Sequence, residues 1–354
     1  MKTDQKSGFS SGITAQRGRM LFIVLFIFLA VFLIFDIFLG SVSISAGEVI
    51  SSLLGHSHSD FGTIIMKFRL PKAITALLVG IALSLSGLQM QTVFRNPMAG
   101  PDVLGISSGA SLAVAFVILG YSSDMAPDGL SGLGNWILVG ASWLGAGAVM
   151  ILIMAISVRV KDIMTVLILG IMLSSGISAI VTILQYFSNE TMLKAYVIWT
   201  MGSLGNLTSS QLNVLIISVS IGVLLNLFTS KMLNAMLLGE NYARSIGLNV
   251  RFARFVIFLC TSILAGSVTA FCGPIGFIGI AVPHMVRILF RTSDHKILIP
   301  GTILLGGTVM LASDIISQLP GSEAVLPINA ITSLIGMPVV IWVILRNRKY
   351  SGTF

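Results

Sequence analysis

Charged residues are scarce in this sequence: they make up only 10% of its 354 residues, whereas 55% are hydrophobic. Water-soluble domains carry about 25% charged residues, so a soluble globular fold is excluded. In a bilayer, each central Asp, Lys or Arg costs roughly 2.5 to 3.5 kcal/mol on insertion scales. The charged residues accordingly lie between long apolar runs, and the sequence predicts a membrane protein.

Several chemical motifs are also absent. No lysine follows a glycine, so the chain has no P-loop to hold ATP phosphates, and any energy it uses comes from a partner or a gradient. No HExxH motif or acid–base pair supports an intramembrane enzyme. The two cysteines, Cys260 and Cys272, stand in apolar sequence without CxxC spacing, which predicts buried thiols and neither disulfide nor metal. The net charge of +8 is spread over several short loops, which argues against nucleic-acid binding.

Ten apolar segments are present, and we predict that each forms a transmembrane helix. The first, residues 20–39, follows a basic N-terminal tail of residues 1–19. A cleaved signal peptide is the competing interpretation, but the apolar run is too long for one, so a retained helix is expected. The others lie near residues 73–93, 103–119, 136–158, 163–187, 211–228, 252–270, 277–290, 297–317 and 326–345, within a helical domain of residues 20–349 followed by a tail of residues 350–354.

The distribution of positive charge predicts the orientation. With the N-terminus in the cytoplasm, 17 of the 21 Lys and Arg residues lie inside, and only Lys67, Arg69, Lys72 and Lys194 lie outside. Such a bias predicts that both termini are cytoplasmic.

Ten helices divide into two halves, about residues 20–206 and 207–349, which are inverted relative to each other because five is an odd number. Gly100-Pro101 precedes the third helix and Gly273-Pro274 precedes the eighth, at corresponding positions of the halves. Paired interruptions of this kind indicate the substrate path in inverted-repeat transporters.

Sequence motifs along nearly the whole chain resemble the FecCD-type permease family, the permease subunits of importers for iron-siderophore complexes, haem and cobalamin. The motifs are RLPK at 69–72, GxxLxxSGxxMQ at 80–91, NP at 96–97, PxxLG at 101–105, GPIGFIG at 273–279, VPHxxR at 282–287 and GxPVxIW at 336–342.

The resemblance implies an all-α membrane protein with the architecture of a type II permease of ATP-binding-cassette (ABC) importers, in the bacterial cytoplasmic (inner) membrane. It implies a homodimer with a path between the subunits, two ATP-binding subunits below and a periplasmic or lipid-anchored substrate-binding protein above. ATP and Mg would be used by the partner ATPase, and no cofactor is expected on this chain. The expected cargo is an iron-siderophore complex carried by alternating access, with cobalamin or haem as alternatives.

The same resemblance assigns roles to two groups of polar residues. Gly239, Glu240, Arg244 and Gly247 match the element that couples the permease to the ATPase, and a short helix from Glu240 to Ile246 is expected there. The alternative is an amphipathic loop at the membrane surface.

Arg69 and Lys72, which break the positive-inside pattern, match the cations that dock the binding protein. The alternative is that they are anchors whose charged ends reach into water. A third basic position of the family is occupied here by Gln318.

Two further groups follow from the family pattern. Ile163 and Met164 would form a cytoplasmic gate, unless they only begin a lipid-facing helix. His284 is interpreted as structural, bonding exposed carbonyl groups near a helix break, with transmission of ATPase motion as an alternative. The residues expected at helix breaks along the path are Asn96, Pro97, Pro101, Gly105, Gly273, Pro274, Gly276, Pro283 and His284.

Other interpretations of the polar residues are less favoured. Residues 105–109 satisfy the GxSxG pattern of hydrolases, but that motif needs a strand-to-helix turn, and here it opens a membrane helix. His56, His58 and Asp60 could bind a metal, although a flexible polar loop is the preferred interpretation. A gradient-driven secondary transporter would need a titratable residue at mid-membrane, whereas the available acids, Asp36, Asp314 and Glu323, lie toward helix ends.

Overall fold

The computed structural model describes residues 15–40, 42–55, 60–120, 133–160, 162–319 and 325–348. Within these ranges all regular structure is helical, which confirms the predicted all-α fold. The α-helices are α1 (Ala15–Phe38), α2 (Ala46–Leu53), α3 (Asp60–Ile64), α4 (Leu70–Val93), α5 (Ile106–Leu119), α6 (Leu133–Arg159), α7 (Ile163–Phe187), α8 (Glu190–Thr200), α9 (Ser209–Leu237), α10 (Glu240–Ser245), α11 (Val250–Cys272), α12 (Ile278–Phe290), α13 (His295–Ser317) and α14 (Ile328–Arg348).

Each predicted apolar segment coincides with one helix. Among the described residues, seven helical stretches are long and apolar enough to cross a membrane, and they contain α1, α4, α6, α7, α9, α11 and α13. The apolar helices α5 and α12 are shorter, and α14 contains the apolar stretch Ile328–Trp342. At a rise of 1.5 Å per residue, α5 and α12 are about 20 Å long, less than the roughly 30 Å of a bilayer core. The number of complete crossings therefore stays a prediction.

The long segments are joined by short helices that hydropathy alone did not predict. Helices α2 and α3 lie between α1 and α4, where a flexible loop was expected, and Asp60 begins α3. A π-helical turn, Ile65–Arg69, leads directly into α4. Helix α8 follows α7, and the side chain of its N-cap residue Asn189 accepts a hydrogen bond from the amide of Met192. These short helices are too polar or too brief to appear as apolar runs.

Helix α4 occupies the centre of the bundle. Buried residues make up 78% of its apolar stretch, compared with 17% to 33% for α1, α6, α7 and α9. A helix that is buried on all sides belongs to the core, whereas the others present apolar faces to lipid or to another chain.

Glycine pairs bring α4 into direct backbone contact with α12 and α13. A Cβ atom at Gly87 would lie 1.6 Å from the carbonyl oxygen of Gly279 in α12. A Cβ atom at Gly80 would lie 2.2 Å from the carbonyl oxygen of Gly306 in α13. Because no side chain fits at either crossing, these glycines set the distances between the central helices.

We predict that Gly87→Ala destabilises the protein by separating α4 from α12. Inserting carbon into a packed core typically costs about 1 to 3 kcal/mol, and here the obstacle is backbone. Thermal unfolding of the detergent-solubilised protein measures the effect. Gly147→Ala in α6 is the matched control, because nothing lies within 4 Å of its new Cβ atom. Equal unfolding temperatures for the two variants would contradict the assignment.

Candidate functional site

The predicted coupling segment forms a short helix bounded by two glycines, and its observed end differs from the expected one by a single residue. Gly239 precedes α10 with φ +100°, and Gly247 follows it with φ +87°, both in regions that favour glycine. The amide of Gly247 donates to Arg244 O and that of Leu248 donates to Ala243 O, which is the Schellman pattern of helix termination. The two glycines therefore determine where α10 begins and ends.

Glu240 anchors α10 to the rest of the bundle. Its Oε1 accepts a hydrogen bond of 2.9 Å from Nε of Arg254 in α11, and its Oε2 accepts one of 3.3 Å from Arg244. Arg254 is only 4% exposed and also donates to Val160 O at the end of α6. A buried guanidinium needs such a partner, so Glu240 holds α10 against α6 and α11 rather than offering a free charge.

The exposed surface of the coupling segment carries large apolar side chains beside the half-exposed Arg244. Ala243 is fully buried beneath the helix, whereas Leu238, Tyr242 and Ile246 are exposed. Three large exposed apolar side chains around a rigid short helix form a small surface suited to contact with another protein.

The helix break of the first half packs against α12 of the second half. A Cβ atom at Gly279 would lie 2.8 Å from Cδ of Pro101. The ring nitrogen Nε2 of His284 donates to Pro97 O at 2.7 Å, as expected for a histidine that bonds a carbonyl near a helix break. Asn96 Oδ1 accepts from the amide of Met98 and thereby closes the turn. Gly105, with φ +77°, then starts α5.

The second-half break lies elsewhere. Gly273, with φ +75°, ends α11, and a Cβ atom there would be 2.6 Å from Trp199 O at the end of α8. The amide of Gly276 donates to Asn329 Oδ1 in α14 at 3.1 Å, and Pro274 stands between the two glycines. Pro283 lies within α12 and is buried. Pro97 and Pro101 thus contact α12, which carries His284. Gly273 and Gly276 instead contact α8 and α14.

The two predicted gate residues begin α7. The carboxylate of Asp162 caps this helix, accepting from the amides of Met164 and Thr165 and from the Thr165 hydroxyl. These hydrogen bonds hold the pKa of Asp162 below its ordinary value, and the bond from the Thr165 hydroxyl contributes most. Met164 is exposed, whereas Ile163 packs against the core around α4 and α5. The cap fixes where the two side chains stand.

Arg69 is engaged by the end of α1. Its guanidinium donates to Ile37 O at 3.2 Å, to Phe38 O at 2.8 Å and to Val42 O. The last carbonyl groups of a helix have no partners within the helix, so Arg69 acts as a cap for α1.

Lys72 belongs to a buried polar cluster, the outer cluster, with Asp36, Asp314 and Gln318. Its ammonium lies 3.0 Å from Asp314 Oδ1, with side-chain exposures of 20% for Lys72 and 1% for Asp314. Nε2 of Gln318 donates to Asp36 and to Asp314, at 3.0 Å each. A neutral amide can serve two acidic side chains in this way. Arg69, Lys72, Asp314 and Gln318 all line one cavity of about 440 Å³.

A polar network at the other end of α4 was not predicted from the sequence. Thr92 Oγ1 lies 2.8 Å from Nε2 of His295, whose Nδ1 donates to Asn234 Oδ1 at 2.7 Å. Arg287 donates to Gln91, which in turn donates to Ile280 O. The network joins α4, α9, α12 and α13 a few residues before α10 begins. Of the side chains in this network, only those of Gln91 and Arg287 belong to the family motifs. The motifs therefore could not predict the other contacts.

The remaining candidates are the possible metal ligands, the cysteines and the GxSxG pattern, each considered within the described ranges. No group of three possible metal ligands occurs there, while His56, His58 and Glu323 lie outside these ranges. Cys260 and Cys272 are free, buried thiols, as predicted. Gly105 to Gly109 begins α5 after a 3-10 turn rather than after a strand.

Comparison with known proteins identifies the family of this chain. The sequence matches the FecCD transport family over residues 2–346. The chain belongs to the FecCD transport family. The hemin transport system permease protein HmuU of Yersinia pestis is 36% identical over 80% of this chain and 84% of that protein. The vitamin B12 import system permease protein BtuC of Shigella boydii is 35% identical over 87% of this chain and 91% of that protein.

A solved structure shares the fold of this FecCD-family chain. It is described as a metal-chelate type ABC transporter in an inward-facing conformation, with 28% identity, a TM-score of 0.79 and coverage of 93% of this chain and 99% of that one. The chain is therefore an ABC importer permease with the type II architecture, and a multi-pass protein of the inner membrane.

We predict that Glu240→Ala destabilises this FecCD-family chain far more than Arg244→Ala. Removing Glu240 leaves the buried Arg254 without its carboxylate, and breaking a buried pair costs roughly 3 to 5 kcal/mol. Arg244 is 51% exposed, and an exposed pair of this spacing contributes only about 0.3 to 0.5 kcal/mol. Thermal unfolding in nanodiscs compares the variants. Equal losses would show that Glu240 is not an anchor.

Proposed function

We propose that this chain is the permease of an importer for a metal chelate and works as a homodimer with two ATP-binding subunits and a substrate-binding protein. The observation that carries the proposal is the coupling segment, a glycine-bounded helix held by a buried ion pair and exposing three large apolar side chains. We infer that both termini are cytoplasmic, because 17 of 21 basic residues then lie inside. The coupling segment consequently faces the cytoplasm.

The coupling segment is rigid enough to transmit a displacement. Its two glycine boundaries fix its ends, and Glu240 ties it to α11 and α6, so force on its exposed face is passed to those helices. ATP and Mg act on the partner subunits, whose closure moves α10 and opens the path outward. The network around His295 offers a second connection, from α9 to α4 and α13.

The gate and the path follow from the same mechanism. Met164 is exposed at the start of α7 and, in a homodimer, would meet its counterpart across the path, with Ile163 supporting it. Closely packed apolar side chains close a path by excluding water. Contact between the 96–105 turn and α12 links the two halves, so that both move together.

The cargo is a metal chelate, and a ferric siderophore is the first expectation. Relatives named for hemin and vitamin B12 transport, and a structural relative described as metal-chelate type, support this class. Reconstitution with the ATPase and binding protein from neighbouring reading frames tests it. ATP-dependent uptake of a labelled ferric siderophore is expected, with haem and cobalamin as the competing cargoes. Accumulation by the chain alone, driven by an ion gradient, would overturn the proposal.

We predict that Tyr242→Ala weakens association with the ATPase subunit about tenfold, because truncating a central aromatic contact typically costs more than 1 kcal/mol. Co-purification and ATPase stimulation in nanodiscs measure the effect. Phe228→Ala on α9 is the control, since that side chain is 79% exposed along a membrane helix and away from α10. A loss of association in both variants, or in neither, would exclude Tyr242 as a docking contact.

The outer cluster predicts opposite effects for two substitutions. If Lys72 binds an acidic residue of the binding protein, that residue competes with Asp314 for the Lys72 ammonium group. Lys72→Gln should then weaken binding of the binding protein about tenfold, mostly at low salt, whereas Asp314→Asn should strengthen it by releasing Lys72. Surface plasmon resonance on nanodiscs at two salt concentrations measures both. Lys194→Gln in α8 is the control, and a loss equal to that of Lys72→Gln would argue against a specific dock.

A further inference from the structure

A basic pocket, distinct from the outer cluster, lies beside the coupling segment. Its volume is about 290 Å³, between the end of α6, α10 and the start of α11. The residues that define it are Ser157, Val160, Arg244, Asn249, Arg251 and Arg254.

Three guanidinium groups line the pocket, and two carboxylates lie near them. Glu240 accepts from Arg254 and Arg244, and Asp162 interacts electrostatically with Arg254. Arg251 supplies the third guanidinium group and has no hydrogen-bond or ion-pair partner among the described residues. The N-terminus of α11, which is capped by Asn249, borders the same pocket. The positive end of its helix dipole therefore lies there as well. The pocket is therefore suited to an anion.

An exposed apolar stripe begins where the pocket ends. Phe252, Phe255 and Leu259 are exposed along one side of α11, and Val158 is exposed at the end of α6. From Phe252 to Leu259 the stripe extends about 10 Å along the helix. The order along the helix is cations at the rim, then aromatic rings, then an aliphatic side chain. This order matches the layers of a membrane surface from the headgroups to the hydrocarbon.

We propose that this pocket binds the phosphate headgroup of an anionic phospholipid, whose acyl chain lies along the stripe on α11. Basic pockets between membrane helices bind acidic headgroups in this way. A soluble partner could supply an acidic side chain but could not cover a stripe that continues into the hydrocarbon layer. The inference goes beyond the proposed transport function. The orientation proposed above places the pocket in the cytoplasmic leaflet. Headgroup binding itself does not depend on that orientation.

Native mass spectrometry of the intact chain, with equimolar phosphatidylglycerol and phosphatidylethanolamine, tests the inference. Retained phosphatidylglycerol should exceed phosphatidylethanolamine, and Arg251→Gln should reduce it about fivefold. Arg251→Lys, which keeps the charge, should retain most of it. Lys231→Gln is the matched control, because Lys231 is an exposed cation on α9 outside the pocket.

Several outcomes would overturn the inference. These are equal retention of the two lipids, an equal loss in Lys231→Gln, and displacement of the lipid by millimolar inorganic phosphate, which would indicate a site for free anions. Unchanged lipid retention in Arg251→Gln together with weaker ATPase association would assign the pocket to the partner protein instead. None of these results bears on cargo transport, so the proposed function is tested separately.

Discussion

The backbone contact of α4 with α12 and α13 is the constraint on which the rest of this structure depends. In a bilayer, burying one apolar helix against another gives no hydrophobic gain over lipid, so close packing must hold the helices together. The crossings at Gly87 with Gly279 and at Gly80 with Gly306 provide that packing. With α4 held in place, one of its ends brings Lys72 to Asp314 and the other brings Thr92 to His295.

Three cations of the candidate sites are already engaged inside the protein. Arg69 caps α1, Lys72 pairs with Asp314, and Arg254 pairs with Glu240. Burying a charge without a partner is costly, so these side chains are held by carbonyl groups or carboxylates. Any partner that docks on Lys72 has to replace an internal bond. In the coupling segment, Glu240 is likewise engaged by Arg254, whereas Leu238, Tyr242, Arg244 and Ile246 are exposed.

Much of the fold and part of the candidate site could be predicted from the sequence. All ten apolar segments became helices, and α10 lies where Gly239 and Gly247 placed it, because hydropathy and backbone freedom are local properties. His284 could be assigned to a carbonyl group because a proline-rich break leaves such groups exposed. The outer cluster could not be predicted, since Gln318 and Asp36 are 282 residues apart. The same holds for Thr92 and His295, which are 203 residues apart.

The sequence by itself determined that the chain is helical, belongs in a membrane and carries the motifs of its family. It did so through composition, glycine and proline positions, and contiguous motifs. Only the tertiary structure decided which charges are available. Arg69 and Lys72 look alike in the sequence, yet one binds carbonyl groups and the other a carboxylate. Whether a side chain has a bonding partner depends on helices that are distant in the sequence and are brought together by packing. Local sequence patterns relate only residues a few positions apart and do not specify such partners.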